Sequence, residues 1–329
     1  MSLFMKRIKS LLPDYFILGI VLMIILAYLI PGIGSQGSAI ELKSLIRVGI
    51  MLLFFFYGLR LNPEKLKKDL SNWKLHITIQ LLTFLVFPLV VLAFYPFFHH
   101  SDYFQIWFAI FFLAALPSTV SSSVVMVSIA KGNISGAIFN ASISGIIGIV
   151  ITPLWVSLFM NTNSGSFDFS KTILDLVIQI LIPLILGLIL HSYWGGWASK
   201  NSKWLSWFDK SVILTIVYNS FSNSFMGGVF QEIPNVLLLI LSTIVISLFF
   251  ALFYFSMWIS KKIGFNREEQ ITVVFCGSKK SLVHGSVMAS VLFAGSASGS
   301  LFLVPIMMYH AFQLFYISIV ARKMGMEKR

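Results

Sequence analysis

The sequence predicts an all-α polytopic membrane protein, with ten transmembrane helices in two inverted five-helix repeats. Three observations carry this. The 329 residues are 57% hydrophobic and only 11% charged, with a mean hydropathy of +0.89, a balance that suits a bilayer rather than a soluble domain. Ten apolar segments, at about 13–30, 43–61, 72–96, 103–130, 135–160, 172–193, 209–230, 234–260, 267–293 and 298–322, each approach the ~20 residues that a helix needs to cross a hydrocarbon core. Finally, the basic residues alternate with the spans. With the N-terminus in the cytoplasm, 19 of the 24 Lys and Arg residues fall inside, and Lys43, Arg47 and Lys171 fall outside. A missed or extra span would scramble this positive-inside pattern.

Taken in order, Lys6, Arg7 and Lys9 precede the first span, and no small-residue cleavage pattern follows it, so an uncleaved first helix is expected. Pro31-Gly32 closes that span. Asn62-Pro63-Glu64 opens a short basic segment, with Asn as cap and Pro at the first helical position. Asn266, with Glu269 three residues on, forms the pattern of a capping box at the start of the ninth span. The connections are short, including that between the sixth and seventh spans. The whole of 1–329 reads as one transmembrane unit in an integral, bacterial inner (plasma) membrane protein, both termini cytoplasmic.

Composition excludes several classes. A net charge of +12 would point to nucleic acid in a soluble chain, but here it lies in the loops, so no nucleic-acid partner is expected. The single cysteine, Cys276, rules out an internal disulfide or a multi-thiolate metal site, and reads as a small helix residue rather than a reactive thiol. No His-Glu-x-x-His occurs, and Gly277-Ser278-Lys279-Lys280-Ser281 lacks the Gly-Lys-Ser/Thr ending of a phosphate loop. No enzyme, metal site or organic cofactor is expected. The partners are the lipid bilayer and a small-molecule solute.

Lys279 and Lys280 sit near the middle of the ninth span. A Lys at that depth costs roughly 2.5–3.5 kcal/mol and is functional by default. The repeats, 13–160 and 172–322, place the fourth and ninth spans in correspondence. The fourth carries Leu116-Pro117-Ser118-Thr119-Val120-Ser121-Ser122-Ser123 at its centre, and the ninth carries Gly277 to Ser281. Paired interruptions of this kind point to a transporter site. Each broken helix frees carbonyls on one half and turns the positive N-terminus of the other, begun by Ser121, Ser122 and Ser123 in the fourth span, toward the midplane. No Asp or Glu lies near the centre of any span. One reading makes a lysine a built-in ammonium where another carrier binds sodium. A second lets it bind an anionic solute, and a third lets it tie up free carbonyls. Adjacent helical positions lie ~100° apart, so one lysine is expected to face the break.

His284 and His310 are candidate proton carriers or helix-to-helix hydrogen-bonding groups, as are His76 and Gln80. Asn140, Ser142 and Ser144 mark the fifth span. Asn219, Ser222 and Asn223, in the polar run of the seventh, line a cavity or a helix interface.

Several stretches are similar to the bile acid:sodium symporter (BASS/SBF) family, and to its SBF-like branch in particular. They are Leu116-Pro117 with its serines, Lys131-Gly132-Asn133, Ala137-Ile138-Phe139-Asn140 and Ile151-Thr152-Pro153-Leu154. Further along are Lys280-Ser281-Leu282 with Gly285 and Met288, Tyr57-Gly58-Leu59, and Tyr218-Asn219-Ser220-Phe221. The resemblance implies a core domain of helices 3–5 and 8–10 (about 72–160 and 234–322) and a panel domain of helices 1, 2, 6 and 7 (about 13–61 and 172–230). It also implies broken helices 4 and 9 that cross in the core, and alternating access at the core–panel boundary. In sodium-coupled members, Ser-Asn on helix 4, hydroxyls on helix 5, Glu and Gln on helix 9 and Gln on helix 3 hold two sodium ions. Here Ser122 and Ser123 fall near the first pair, Ala137 and Ala141 replace the helix 5 hydroxyls, Gln80 matches helix 3, and helix 9 has no Glu. These departures count against sodium coupling and against bile acid as substrate, and leave a proton as the other candidate. The expected function is secondary transport of an organic anion. The alternatives are a membrane regulator or receptor acting in cation homeostasis, or an ion channel.

Overall fold

A computed structural model of the chain describes residues 15–34, 42–61, 72–160, 174–228, 235–293 and 299–326. The N-terminal basic cluster and the Asn62-Pro63-Glu64 segment lie outside the described residues. Thirteen helices matter here. They are α1 (Tyr15–Leu29), α2 (Leu42–Arg60), α3 (Trp73–Leu92), α4 (Phe104–Ala115), α5 (Ser121–Ile129) and α6 (Ile134–Met160). Then follow α7 (Leu174–Ile189), α8 (His191–Lys200), α9 (Ser202–Met226), α10 (Asn235–Ile263), α11 (Arg267–Gly277), α12 (Leu282–Leu292) and α13 (Gly299–Met326). The described residues contain no strand. Among the described residues, five helices are long and apolar enough to cross a membrane, or six counting the bent α7–α8 pair. The chain is an integral membrane protein of helical construction.

Local chemistry explains the boundaries. α4 stops because Pro117 has no N–H to donate and forces the preceding Leu116 into an extended conformation (φ −70°, ψ 153°). α11 opens with both bonds of the capping box: Glu269 N–H donates to Asn266, and Asn266 N–H donates to Glu269. α12 opens on Ser281, whose hydroxyl accepts from His284 N–H at 3.2 Å. α3 widens into a π turn at Leu82–Val86, ahead of Pro88. There Phe87 N–H bonds to Leu82 C=O, which frees the Thr83 carbonyl from the backbone ladder. Pro88 frees the Phe84 carbonyl in turn, and Trp155 Nε1 donates to it at 2.8 Å.

The segments at 103–130 and 267–293 are interrupted where the sequence places the breaks: each is two helices, α4 with α5 and α11 with α12, separated by Leu116–Val120 and by Ser278–Ser281. The structure differs from expectation in one place. The stretch after 193 is not a short connection but α8, turned 97° from α7. Trp194, Trp197, Trp204 and Trp207 are exposed, as in an interfacial belt.

The helices pack in two groups. α1, α2, α7, α8 and α9 pack among themselves, as do α3 to α6 with α10 to α13, and α9 meets α12 and α13 between the groups. The α2–α7 contact is made backbone to backbone: a side chain on Gly58 would strike Leu184 C=O, and one on Gly187 would strike Phe55 C=O. Gly58→Val is therefore expected to destabilise the protein by on the order of 1–3 kcal/mol through overpacking. Thermal unfolding followed by tryptophan fluorescence measures this, and an unchanged melting temperature would contradict the close approach.

Candidate functional site

The two breaks lie against each other. Ser281 N–H donates to Pro117 C=O at 2.9 Å, and Ser118 Oγ donates to Cys276 C=O at 2.6 Å. Room for the proline ring comes from α6, where a side chain on Gly148 would lie 2.7 Å from Pro117. Many of the backbone groups freed at the two helix ends are bonded by side chains, as a buried site requires. Ser118 N–H donates to Ser144 Oγ at 2.9 Å, and Thr152 Oγ1 to Ala115 C=O at 2.7 Å. Ser123 Oγ donates to Phe275 C=O at 3.3 Å, Ser278 Oγ to Val274 C=O at 2.6 Å, and Tyr309 OH to Ser278 C=O. Gln313 clamps the backbone of Lys280, accepting from its N–H at 3.0 Å and donating to its C=O at 2.8 Å.

Both lysines are fully buried and both reach the first break. The expectation that one would face it does not hold, because residues 279 and 280 lie in the non-helical gap, where helical spacing does not apply. Their environments differ. Lys280 Nζ donates to Ala114 C=O at 2.6 Å, and to Leu116 C=O and Thr83 C=O at 2.8 Å each. It also stands 4.1 Å from the centroid of the Phe87 ring. Three bonds from a charged donor at roughly 1.5–3 kcal/mol each outweigh the roughly 2.5–3.5 kcal/mol cost of a lysine at this depth. Lys279 Nζ has one acceptor among the described residues, Ser122 Oγ at 2.9 Å. Ser122 donates to Thr119 Oγ1 at 2.9 Å, and Thr119 and Ser123 share a 2.8 Å bond.

Beside the breaks lies a cavity of about 360 Å³. Thr119, Ser122 and His284 line it on one side, and Phe54, Tyr57 and Arg60 of α2 on the other. His284 Nδ1 bonds to Ser281 Oγ at 3.0 Å, its Nε2 is buried with no partner, and its ring stands edge-on to Phe54 and Tyr57. Arg60 pairs with Asp209 at 2.8 Å at this cavity. A second cavity of about 370 Å³ opens between the same two groups. It is lined by Arg47 and Asp175, paired at 3.4 Å, and by Asn219 and Asn223.

The structure thus gathers Pro117, Ser118, Thr119, Ser122, Ser123, Ser144, Gly277, Ser278, Lys279, Lys280, Ser281 and His284 around one point. Ser121 contributes backbone to the start of α5, and its side chain lies outside the described residues. Gln80 and Asn140 form a separate node with His76. Gln80 Nε2 donates to Asn140 Oδ1 at 3.1 Å, Asn140 Nδ2 meets His76 Nδ1 at 2.8 Å, and Gln80 Oε1 is buried without a partner. Asn219 and Asn223 lie at the second cavity, while Ser222 is buried against Gly34. His310 bonds Gln313 at 2.9 Å. Sequence reasoning missed Gln313, Tyr309, Thr152 and the Thr83 carbonyl. An amide one turn beyond His310 was the available signal for Gln313. The π turn that frees Thr83 had only Pro88 to announce it.

Residues 14–326 match the family described as the SBF-like CPA transporter family. An uncharacterised protein of Pseudomonas aeruginosa is 35% identical, over 95% of this chain and 93% of its own length. YfeH of Escherichia coli, provisionally named a symporter, is 32% identical over 94% and 92%. The sodium/bile acid cotransporter 7-B of Xenopus laevis is 30% identical over 96% and 93%.

The unequal bonding of the two lysines has a measurable consequence. Lys280→Met leaves three buried carbonyls unpaired, at roughly 1–3 kcal/mol each. It should lower the melting temperature far more than Lys279→Met, which orphans no carbonyl. Equal losses in the two variants would contradict the assignment.

Proposed function

The chain belongs to the SBF-like CPA transporter family, and on that footing we propose that it is a secondary transporter of an organic, amphipathic anion that works without sodium. The observation that carries this reading is the Lys280 ammonium seated on three carbonyls where the two broken helices meet, beside a solute-sized cavity. A cation-coupled carrier brings a dissolved ion to such carbonyls. Here the cation is covalently attached, so a sodium ion finds those carbonyls already taken.

In this reading the spans form two inverted repeats, 13–160 and 172–322, whose fourth members cross at the site. The core comprises about 72–160 and 234–322, and the panel about 13–61 and 172–230. The panel–core boundary opens alternately to the two cavities, in an elevator-like or rocking movement, with both termini in the cytoplasm of a bacterial inner membrane. The aromatic and aliphatic lining, with Phe54, Tyr57 and Leu282, suits an apolar body. Arg60, Lys210 and the nearby lysines suit an anionic head. The relatives' names support transport over a regulator, a channel or an enzyme.

The test compares sodium with N-methylglucamine. Melting temperature and uptake of an amphipathic anion such as an aryl sulfate into proteoliposomes should be the same in either salt. A ligand at 100 times its dissociation constant adds ~2.7 kcal/mol to folding stability. A sodium-specific rise in melting temperature, with uptake that stops without sodium, would overturn the built-in cation and leave a sodium symporter.

A further inference from the structure

We propose that the two lysines divide the work, and that Lys279 is the carrier's proton site, exchanging one proton per cycle with the 360 Å³ cavity through Ser122. The inference rests on the transport reading above and adds the coupling ion to it.

Hydrogen-bond counting separates the two amines. An ammonium has three donors, and Lys280 uses all three on carbonyls that have no other side-chain donor among the described residues. Loss of a proton there would orphan a buried carbonyl. Lys279 gives one bond, to a hydroxyl, and a neutral amine still makes it. No carboxylate fixes its charge: among the described residues, α4, α5 and α6, which frame the first break, carry no Asp or Glu.

The path is equally specific. Lys279 has no exposed surface, and Ser122 both touches it and lines the cavity. Ser122 Oγ accepts from Lys279 and donates to Thr119, which also lines the cavity. A hydroxyl wired this way turns a lone pair, not a hydrogen, to the remaining side. That orientation receives a proton donor such as hydronium or water, and it disfavours direct contact with an anion. In the step itself, the Ser122 hydroxyl turns its hydrogen from Thr119 to a cavity water. The Nζ–H bond of Lys279 then breaks, its proton forms a bond to Ser122 Oγ, and the former Ser122 proton passes to that water. The products are a neutral amine, a restored hydroxyl and hydronium. The reverse reloads the site. An anion in the cavity favours the charged lysine, and by reciprocity the charged lysine favours the anion. Solute and proton therefore travel together.

Other charged and titratable groups surround this path. Cys276 and Lys280 share the lysine's own segment, His284 is on α12, and Tyr309 and His310 are on α13. Tyr57 and Arg60 lie on α2, His76 on α3, and Asp209 and Lys210 on α9. A bare pH optimum would not isolate Lys279, so the experiment reads the charge displaced by proton binding.

Purified protein in phosphatidylcholine–phosphatidylglycerol liposomes is adsorbed on a solid-supported membrane and given an acidifying step, without sodium or solute. The proton alone is the probe. Wild type should give a transient inward charge displacement. Lys279→Met should reduce it to that of empty liposomes, while Lys262→Met, at the end of α10, should leave it unchanged. Ser122→Ala retains the lysine but removes the link, so it should slow the transient. It carries the test on its own if Lys279→Met does not fold. A wild-type transient that survives Lys279→Met, a Ser122→Ala transient identical to wild type, or no transient in wild type would each overturn the proposal. An intact Lys279-dependent transient without uptake of any anion would overturn the transport reading instead.

Discussion

Helices that end inside a buried interior leave carbonyl groups with no N–H to accept from, and in this chain one ammonium answers two of them at the end of α4 and a third on the π turn of α3. The Lys280 bonds run to α3 and to the end of α4, while its backbone is clamped by Gln313 of α13. One residue thereby ties together four stretches of chain that are far apart in sequence. The requirement extends outward from there. The π turn in α3 presents the Thr83 carbonyl, Pro117 ends α4 where its carbonyls face the lysine, and Gly148 lets the proline approach α6. Each of these would be a weakness in an ordinary helix. Together they form a closed hydrogen-bond account around a buried charge.

An attached cation behaves differently from a dissolved one. It forfeits no translational freedom on binding, and its occupancy does not vary with salt. The carbonyl cradle is then part of the fold rather than a binding equilibrium, and the framework around the breaks keeps its geometry whatever the ionic conditions. The neighbouring Lys279, by contrast, has one hydroxyl partner among the described residues.

Much of this was legible in the residues, for identifiable reasons. Pro117 and the Gly277–Ser281 run announced both breaks because proline and glycine act locally, through missing donors and permissive backbones. The capping box at Asn266 and Glu269 was equally local. The interruption that holds the lysines followed from the Gly and Ser residues that flank them. What could not be read depends on partners far away in the chain. The count of apolar segments gave no hint that Lys279 and Lys280 would find such unequal acceptors, because those acceptors are set by how α3, α4 and α5 meet the second break. Gln80 and Asn140 looked like part of the same site, yet they bond to each other, and Asn140 to His76. The helix α8 was hidden because its tryptophans and glycines satisfy neither a spanning nor a simple loop pattern.

The two cavities come close to each other. Along α2, Phe54 lines one and Ile50 the other, a separation of about 6 Å, or one helical turn. In a carrier whose two cavities open to opposite faces of the membrane and fill with water, the transmembrane voltage no longer falls across the ~30 Å of hydrocarbon but across the stretch between them. The local electric field is then several times steeper than in the surrounding lipid. A charge carried past the septum by a movement of only one helical turn crosses most of the potential, worth about 2.3 kcal/mol per 100 mV. The thinness of the partition makes the resting voltage of the membrane a direct force on whichever charged group moves through it.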